Sequence, residues 1–297
     1  MDLERRHQNS LGRFVDFVSV HQQGPSPNRI FSVDMEGPDS LEARIKSAWD
    51  EYGEDYLRAE TVGTHIATMA AILLNVQEPE KWERWLSLGS GPGLYEAFLA
   101  QSLRRIKIDS LDLSSVLLRK QKEILDWLAA REGRVARRVS PVNGSMIDLP
   151  LSDGIYNQIL NINSLQWATD WRKAISEMNR VLSPEDKARV FVVGASAPRI
   201  NKEGRMIGSL ADDLDTDTLL DELENYGLMT KVMGYLKIDR AQLGIPTVRF
   251  YCLSERGFPV NDWRSRIKGL EIPVIDYEII GGRLNIIDYT PSLHSAS

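Results

Sequence analysis

Cysteine occurs once in the 297 residues, at Cys252. A single thiol excludes an intramolecular disulfide and a thiolate metal cluster built within one chain. It sits in TVRFYCLSE, an apolar run of strand type, so a buried structural thiol is expected. Histidine is almost as scarce. His7, His21, His65 and His294 lie far apart and form no metal signature, so no metal is expected. Positive charge is also in deficit, with 36 basic against 42 acidic residues and a formal net charge of −6. A net acidic chain is a poor default for non-specific nucleic-acid binding. The local basic clusters, Arg104–Arg105–Lys107 and Arg134–Arg137–Arg138, read as solvated faces. No stretch approaches the roughly 20 apolar residues of a membrane span. The opening MDLERRHQNS is charged and has no apolar core, which argues against a secretory signal. These absences together predict a cytoplasmic protein with no nucleic-acid or membrane partner.

What is present is ordinary globular composition, 42% hydrophobic and 26% charged, with no internal repeat. QQGPSPNR and MEGPDS make the first sixty residues turn-rich. From residue 39, DSLEARIKSAWDEYGEDYLRAE reads as a helix capped by Asp39 or Ser40. Its apolar face carries Leu41, Ile45 and Trp49, extended by Tyr52 and Tyr56. TVGTHIATMAAILLNV is apolar nearly all round and reads as a buried helix. Strand and helix then alternate through WLSLGSG, LYEAFLAQSLRR, IKIDSLDLS, SVLLRKQKEILDWLAAREG, RVARRVSPVNG, GIYNQILNIN, DWRKAISEMNRVL and ARVFVVGAS. A charged loop, the helix DTLLDELENYG and two strands, LMTKVMGYLKI and TVRFYCLSE, complete the series. Such alternation predicts an α/β fold with a parallel sheet covered by helices on both faces, its last two strands antiparallel because the connection between them is short. VIDYEIIGGRLNIIDY predicts a C-terminal β-hairpin around Gly281–Gly282, with Ile279 opposite Leu284 and Tyr277 opposite Ile286. That apolar face needs a cover, either the main domain or a second copy of the chain. The expected parts are an N-terminal helical lid (1–60), a central domain (61–255) and an extension with the hairpin (256–297).

The chemistry-bearing feature is WLSLGSGPGLYEAFLA, with glycines at 89, 91 and 93. Glycines between a strand end and a helix start permit a sharp turn, and the helix N-terminus offers unpaired N–H groups to an anion. The spacing G-x-G-x-G does not fit the dinucleotide fingerprint G-x-G-x-x-G, because Leu94 or Glu96 stands where its last glycine would be. A plain structural turn is the competing reading. Asp112, at the end of the second strand, follows Gly93 by nineteen residues. A carboxylate there can accept from both hydroxyls of a ribose. Its competing role is to cap the next helix, a task that Ser114 or Ser115 can take instead.

Taken in order, WLSLGSGPG, LDLS, NGSMIDLPLSDGIYNQIL and NSLQWATDWRKAISEMNRVLSPEDKARVFVV resemble the class I S-adenosylmethionine-dependent methyltransferases over residues 60–255. The resemblance implies a Rossmann-like, seven-stranded, mostly parallel sheet and S-adenosyl-L-methionine as cofactor. It implies that Gly89, Ser90, Gly91 and Gly93 hold the methionyl part. Asp112 would hold the ribose and Leu113 would pack on the adenine, with Ser145 and Met146 edging the ring. Asn161 and the segment after it, including Asn163, Gln166 and Trp167, would border the sulfonium and the acceptor. NSLQW is similar to the branch that methylates small carboxylic acids or carrier-bound acyl groups, such as trans-aconitate and malonyl-carrier-protein methyltransferases.

Four positions depart from the family pattern. Ser87 stands where an acid is common, Ser145 and Asn157 where Asp is common, and Ile162 where Asn is common. The acceptor pocket is assigned to Tyr52, Tyr56, His65, Asn163, Gln166 and Trp167. Competing readings are a core stripe for the aromatic residues and a core position for His65. The loop over 196–215 also borders this pocket, and its Arg199 and Arg205 face either an acidic acceptor or solvent. No general base stands out. The expected activity is methyl transfer to a small-molecule or carrier-bound metabolite. The alternative is a cofactor-binding fold that does not methylate.

Overall fold

The computed structural model describes residues 10–14, 17–18, 33–35, 38–53, 65, 68–69, 72–73, 75–132, 136–194, 199–200, 206–207, 214–238, 247–259, 275–280 and 283–289. Seven strands form one sheet: β1 (Glu83–Leu88), β2 (Ile106–Asp112), β3 (Val139–Asn143), β4 (Gln158–Ile162), β5 (Arg189–Gly194), β8 (Leu228–Ile238) and β9 (Thr247–Arg256). Their spatial order is β3-β2-β1-β4-β5-β9-β8. The first five run parallel, and β9 pairs antiparallel with both β5 and β8. The order reverses between β1 and β4, which opens a crevice at the carboxyl ends of the strands, where such sheets bind ligands.

The helices are α1 (Leu41–Tyr52), α2 (Leu94–Ser102), α3 (Ser115–Glu132), α4 (Trp171–Val181) and α5 (Thr216–Asn225). Strand residues alternate between two cores, as the period of two requires. Trp85, Leu160, Ile162, Phe191 and Val193 face α2 and α3. Leu86, Leu88, Ile159, Val190, Val192 and Cys252 face α4 and α5. Cys252 is buried, and burial pushes its thiol up to about 12, which fits the structural role expected for it. The caps are legible locally. Ser40 caps α1 by accepting from the Ala43 N–H at 3.3 Å, and Asp170 caps α4 by accepting from the Lys173 N–H at 2.9 Å.

Two findings go beyond the sequence-based expectations, and a third meets them. Residues 10–14 and 17–18 are helical, and Phe14, Phe17 and Val18 are buried against α2 and α3. This part of the N-terminal segment is therefore core rather than lid. The charged loop after β5 contains a short antiparallel pair, β6 (Arg199–Ile200) with β7 (Met206–Ile207). The hairpin is present as β10 (Ile275–Ile280) and β11 (Arg283–Tyr289), with Ile279 opposite Leu284 and Tyr277 opposite Ile286 as expected. Tyr56, Arg134 and Arg205 lie outside the described residues, as does the side chain of Arg199. Among the described residues, no helix is long and apolar enough to cross a membrane.

Candidate functional site

The glycine turn leaves β1 at Leu88 and enters α2 at Leu94. Gly89, Gly91 and Gly93 have φ of 62°, 58° and 63°, a left-handed conformation that only glycine adopts at little cost. A methyl group on Gly89 would lie 2.3 Å from Ser164 Cβ, and one on Gly93 would lie 2.4 Å from Gln121 Nε2. Packing within the protein thus demands these two glycines whatever the turn binds. Gly93 offers no side chain to cap α2, so the first-turn N–H groups of that helix receive no side-chain cap.

Asp112 ends β2 and is bound to both neighbours of the crevice. Its Oδ2 accepts from the Gly91 N–H at 2.7 Å, and its Oδ1 accepts from the Ser114 N–H at 2.8 Å. The capping of α3 falls to Ser114, whose Oγ accepts from the Leu117 N–H at 3.1 Å. Asp112 is therefore not the cap of α3, but it does pin the glycine turn. Each carboxylate oxygen keeps a second lone pair for a ligand. Burial raises its pKa to about 6, opposed by the backbone N–H groups of Ser114, Gly91 and Leu113 and assisted by the charge of Asp50. Asn143 steadies the strand end by donating to the carbonyls of Asp112 and Leu113.

The remaining strand ends complete the rim. Leu113, Ser145 and Met146 are half-buried. Ser145 Oγ donates to Glu42 Oε2 on α1 at 3.0 Å. Met146 Cε lies 3.2 Å from where a Gly89 Cβ would stand. Asn161 Oδ1 accepts from the Leu165 N–H at 2.9 Å. Ser164 Oγ donates to the Leu88 carbonyl and so ties the end of β1 to the segment after β4. Asn163 takes a left-handed φ of 56°, and its carbonyl accepts from Gln166 Nε2.

Several buried polar atoms around the glycine turn have no protein partner: Ser90 Oγ, Asn161 Nδ2, both amide atoms of Gln121, and Glu96 Oε2. Buried polar groups are rarely left unpaired, because each costs roughly 1–3 kcal/mol. Their concentration at one crevice marks a place for a polar ligand. Glu96 is fully buried in the first turn of α2, where its Oε1 accepts from Ser87 Oγ at 2.5 Å. Burial raises its carboxyl to about 7, with the nearby charge of Asp112 contributing in the same direction.

Helix α1 lies across the mouth. Asp50 Oδ1 accepts from Ser114 Oγ at 2.5 Å, and Trp49 meets Trp167 edge-on with ring centroids 5.9 Å apart. Tyr52 packs on Trp49 at 5.7 Å. Burial works to raise the pKa of Asp50, but Lys46, Ser114 and the Val116 N–H outweigh it and hold the carboxyl low. Trp49 thus joins Tyr52 and Trp167 in one aromatic cluster. His65 instead bonds the Tyr95 hydroxyl through Nδ1 at 2.7 Å, the arrangement of a satisfied core histidine. The Asn157 departure lies at the opposite end of the sheet, where its Oδ1 accepts from the Arg84 N–H at 3.0 Å. Glu96, Gln121, Asn143, Glu42 and Asp50 were not anticipated from sequence, and Ser164 only as part of the segment after β4. Only Glu96 gave a signal, as a charge inside the apolar helix LYEAFLA.

Residues 86–189 match the family described as a methyltransferase domain. The chain is 27% identical over 143 residues to a malonyl-[acyl-carrier protein] O-methyltransferase of Halorhodospira halophila, covering 48% of this chain and 45% of that protein. It is 25% identical over 142 residues to the enzyme of the same name from Geobacter sulfurreducens, covering 48% and 50%. The chain thus spans about half the length of the curated relatives it matches. Magnesium protoporphyrin IX methyltransferase from Synechocystis PCC 6803, solved with bound SAM, shares the fold at a TM-score of 0.53 and 12% identity, over 75% of this chain and all of that one. The unpaired polar atoms, the helix start without a side-chain cap and the spare lone pairs of Asp112 suit a zwitterionic ligand that carries a ribose. The strand order and the family match fall on one crevice: residues 86–189 match a methyltransferase domain, on a sheet with the fold of an S-adenosylmethionine-binding methyltransferase.

Proposed function

We propose that the chain transfers a methyl group to a carboxylate of a small-molecule or carrier-bound metabolite. S-Adenosylmethionine, when bound, supplies an electrophilic methyl on a sulfonium. The chain's own residues bind, orient and exclude water. In this reading Gly89, Ser90, Gly91 and Gly93 hold the methionyl part. Asp112 takes the ribose hydroxyls on its spare lone pairs, Leu113, Ser145 and Met146 line the adenine, and Asn161 Nδ2 gains a partner. Trp49, Tyr52 and Trp167 close the mouth, which keeps the reacting centre dry and the acceptor aligned. Tyr56, Asn163 and Gln166 are assigned to the acceptor side. A carboxylate acceptor is already anionic and needs no general base. This agrees with His65, the histidine expected near the pocket, being bonded to Tyr95.

The observation that carries the reading is the cluster of unpaired polar atoms around the glycine turn. The likeness to malonyl-carrier-protein methyltransferases gives the acceptor class its support. The test is calorimetry with S-adenosylmethionine and S-adenosylhomocysteine, followed by transfer of labelled methyl to malonyl-carrier protein and to a panel of free dicarboxylates. Binding of neither ligand rejects the reading. Binding without transfer to any carboxylate favours the second reading, a non-methylating fold. That second reading rests on the altered positions at 87, 145, 157 and 162, of which Asn157 stands away from the site.

The same reading keeps residues 1–60 as an N-terminal helical part, 61–255 as the cofactor-binding domain and 256–297 as an extension, in a cytoplasmic protein. It places a second copy of the chain against the apolar hairpin face of Tyr277, Ile279, Leu284 and Ile286. Light scattering of the full chain and of a chain lacking 260–297 tests this, with a dimer expected only for the former.

A further inference from the structure

The family reading leaves Glu96 without a task. Its carboxyl is fully buried two residues inside α2, below the glycine turn. One oxygen is held by the Ser87 hydroxyl and the other has no partner. The strongest charge bearing on it belongs to Asp112, another anion. A buried carboxyl without a cation is costly, and a helix as apolar as LYEAFLA has no structural need of one. The amino-acid end of the cofactor, in the reading above, lies at this turn and carries an α-ammonium beside its α-carboxylate. The N–H groups at the start of α2 suit the carboxylate. No side chain in the turn Gly89–Gly93 carries a negative charge to meet the ammonium, and the spare lone pairs of Asp112 are taken by the ribose in that reading.

We propose that Glu96, oriented by Ser87, is the buried counter-charge for the α-ammonium of the cofactor. Direct contact is not required, because a charge in a low-dielectric core is felt several ångströms away. The inference also gives Ser87 a role. An acid on β1 is replaced by a hydroxyl that holds an acid reaching in from α2. This rests on the proposed function, and the test separates the two.

The experiment measures binding of S-adenosylhomocysteine and of its analogue lacking the α-amino group, by calorimetry, to the wild type and to Glu96→Gln. The glutamine keeps an oxygen for Ser87 but carries no charge. In the wild type, loss of the amino group should weaken binding by about tenfold to a hundredfold, the range of a charge-assisted interaction. In Glu96→Gln that ratio should shrink to a few-fold, and in Ser87→Asp/Glu96→Ala it should recover. A merely structural glutamate would weaken both ligands alike and leave the ratio unchanged, which overturns the proposal. A variant that changes only the preference of S-adenosylmethionine over S-adenosylhomocysteine overturns it too, since the charge would then serve the sulfonium. No binding of S-adenosylhomocysteine to the wild type rejects the family-based function instead. Should Glu96→Gln fail to fold, the wild type alone decides. Near pH 7, S-adenosylhomocysteine should release more protons on binding than the analogue does, measured in buffers of different ionisation enthalpy. Equal release overturns the proposal.

Discussion

Asp112 does two things with one carboxylate. It pins the glycine turn through Gly91 and the start of α3 through Ser114, and it keeps lone pairs for a ribose. Asp112→Ala should weaken S-adenosylhomocysteine binding by about 1–3 kcal/mol, with Asp112→Asn intermediate. Calorimetry on folded variants checks this, and unchanged affinity would remove the ribose assignment. Asp112 and Glu96 also make a prediction for the cofactor-free protein. Burial raises Glu96 from an ordinary 4.5 to about 7, and Asp112 from 3.8 to about 6. A carboxyl raised in the fold holds its proton more tightly there than in the unfolded chain. Its contribution to stability is full below the unfolded value and is lost as pH rises through the folded one. The cofactor-free protein should therefore lose stability between about pH 4 and pH 7, with Glu96 contributing at most about 3 kcal/mol. Denaturant melts across that range should be flatter for Glu96→Gln, and parallel curves would show that Glu96 ionises normally.

At the scale of elements, α1 is fixed to the rim by side chains from three places: Ser114 at the start of α3, Ser145 after β3 and Trp167 after β4. Its own sequence supplies the acceptors at Glu42 and Asp50, one near each end. Asp50→Ala should release the C-terminal end of α1 and leave Ser114 Oγ to cap α3 alone. Amide exchange over residues 41–53 should then rise by a factor of about 5–10, while α2 and α3 keep their protection. Equal loosening of α3 would mean that Asp50 holds the core rather than the lid. The elements themselves were legible in the sequence because their signals are local: the apolar runs of β1 and β5, the cap at Ser40, the hairpin register around Gly281–Gly282. The polar partnerships of the site were not. Ser87 meets Glu96 nine residues on, Ser164 meets Leu88 across 76 residues, and Ser145 meets Glu42 across 103. The periodicity and capping signals that reveal single elements contain nothing about such pairs.

At the scale of the whole molecule, the sheet has two differently furnished ends. The amino ends of the strands carry ionic networks, in which Asp109 accepts from both Arg84 and the Tyr156 hydroxyl, and Arg189 meets Glu83. The carboxyl ends hold Ser90 Oγ and Asn161 Nδ2 without a protein partner, beside the glycine turn. Ion pairs furnish one end, and polar groups open to a ligand furnish the other. Helical residues 10–14 and 17–18 belong to neither end but to the core that supports the crevice from behind. Phe14 lies 5.2 Å from Phe98 edge-on, Phe17 lies 4.9 Å from Trp127, and Ser10 Oγ donates to the Phe98 carbonyl at 2.8 Å. Phe98 stands on α2, the helix that carries Glu96 and begins at the glycine turn. Loss of the Phe14 ring should therefore destabilise the whole domain, not merely open a lid. Phe14→Ala should cost about 3–5 kcal/mol in global unfolding, the usual range for a phenylalanine removed from a packed core. Cofactor affinity measured well below the melting point should fall much less, because Phe14 has no place at the crevice. Chemical denaturation with a single cooperative transition, shifted to lower denaturant at unchanged slope, is the expected result. A variant of wild-type stability that instead binds S-adenosylhomocysteine weakly would return residues 10–14 and 17–18 to the lid.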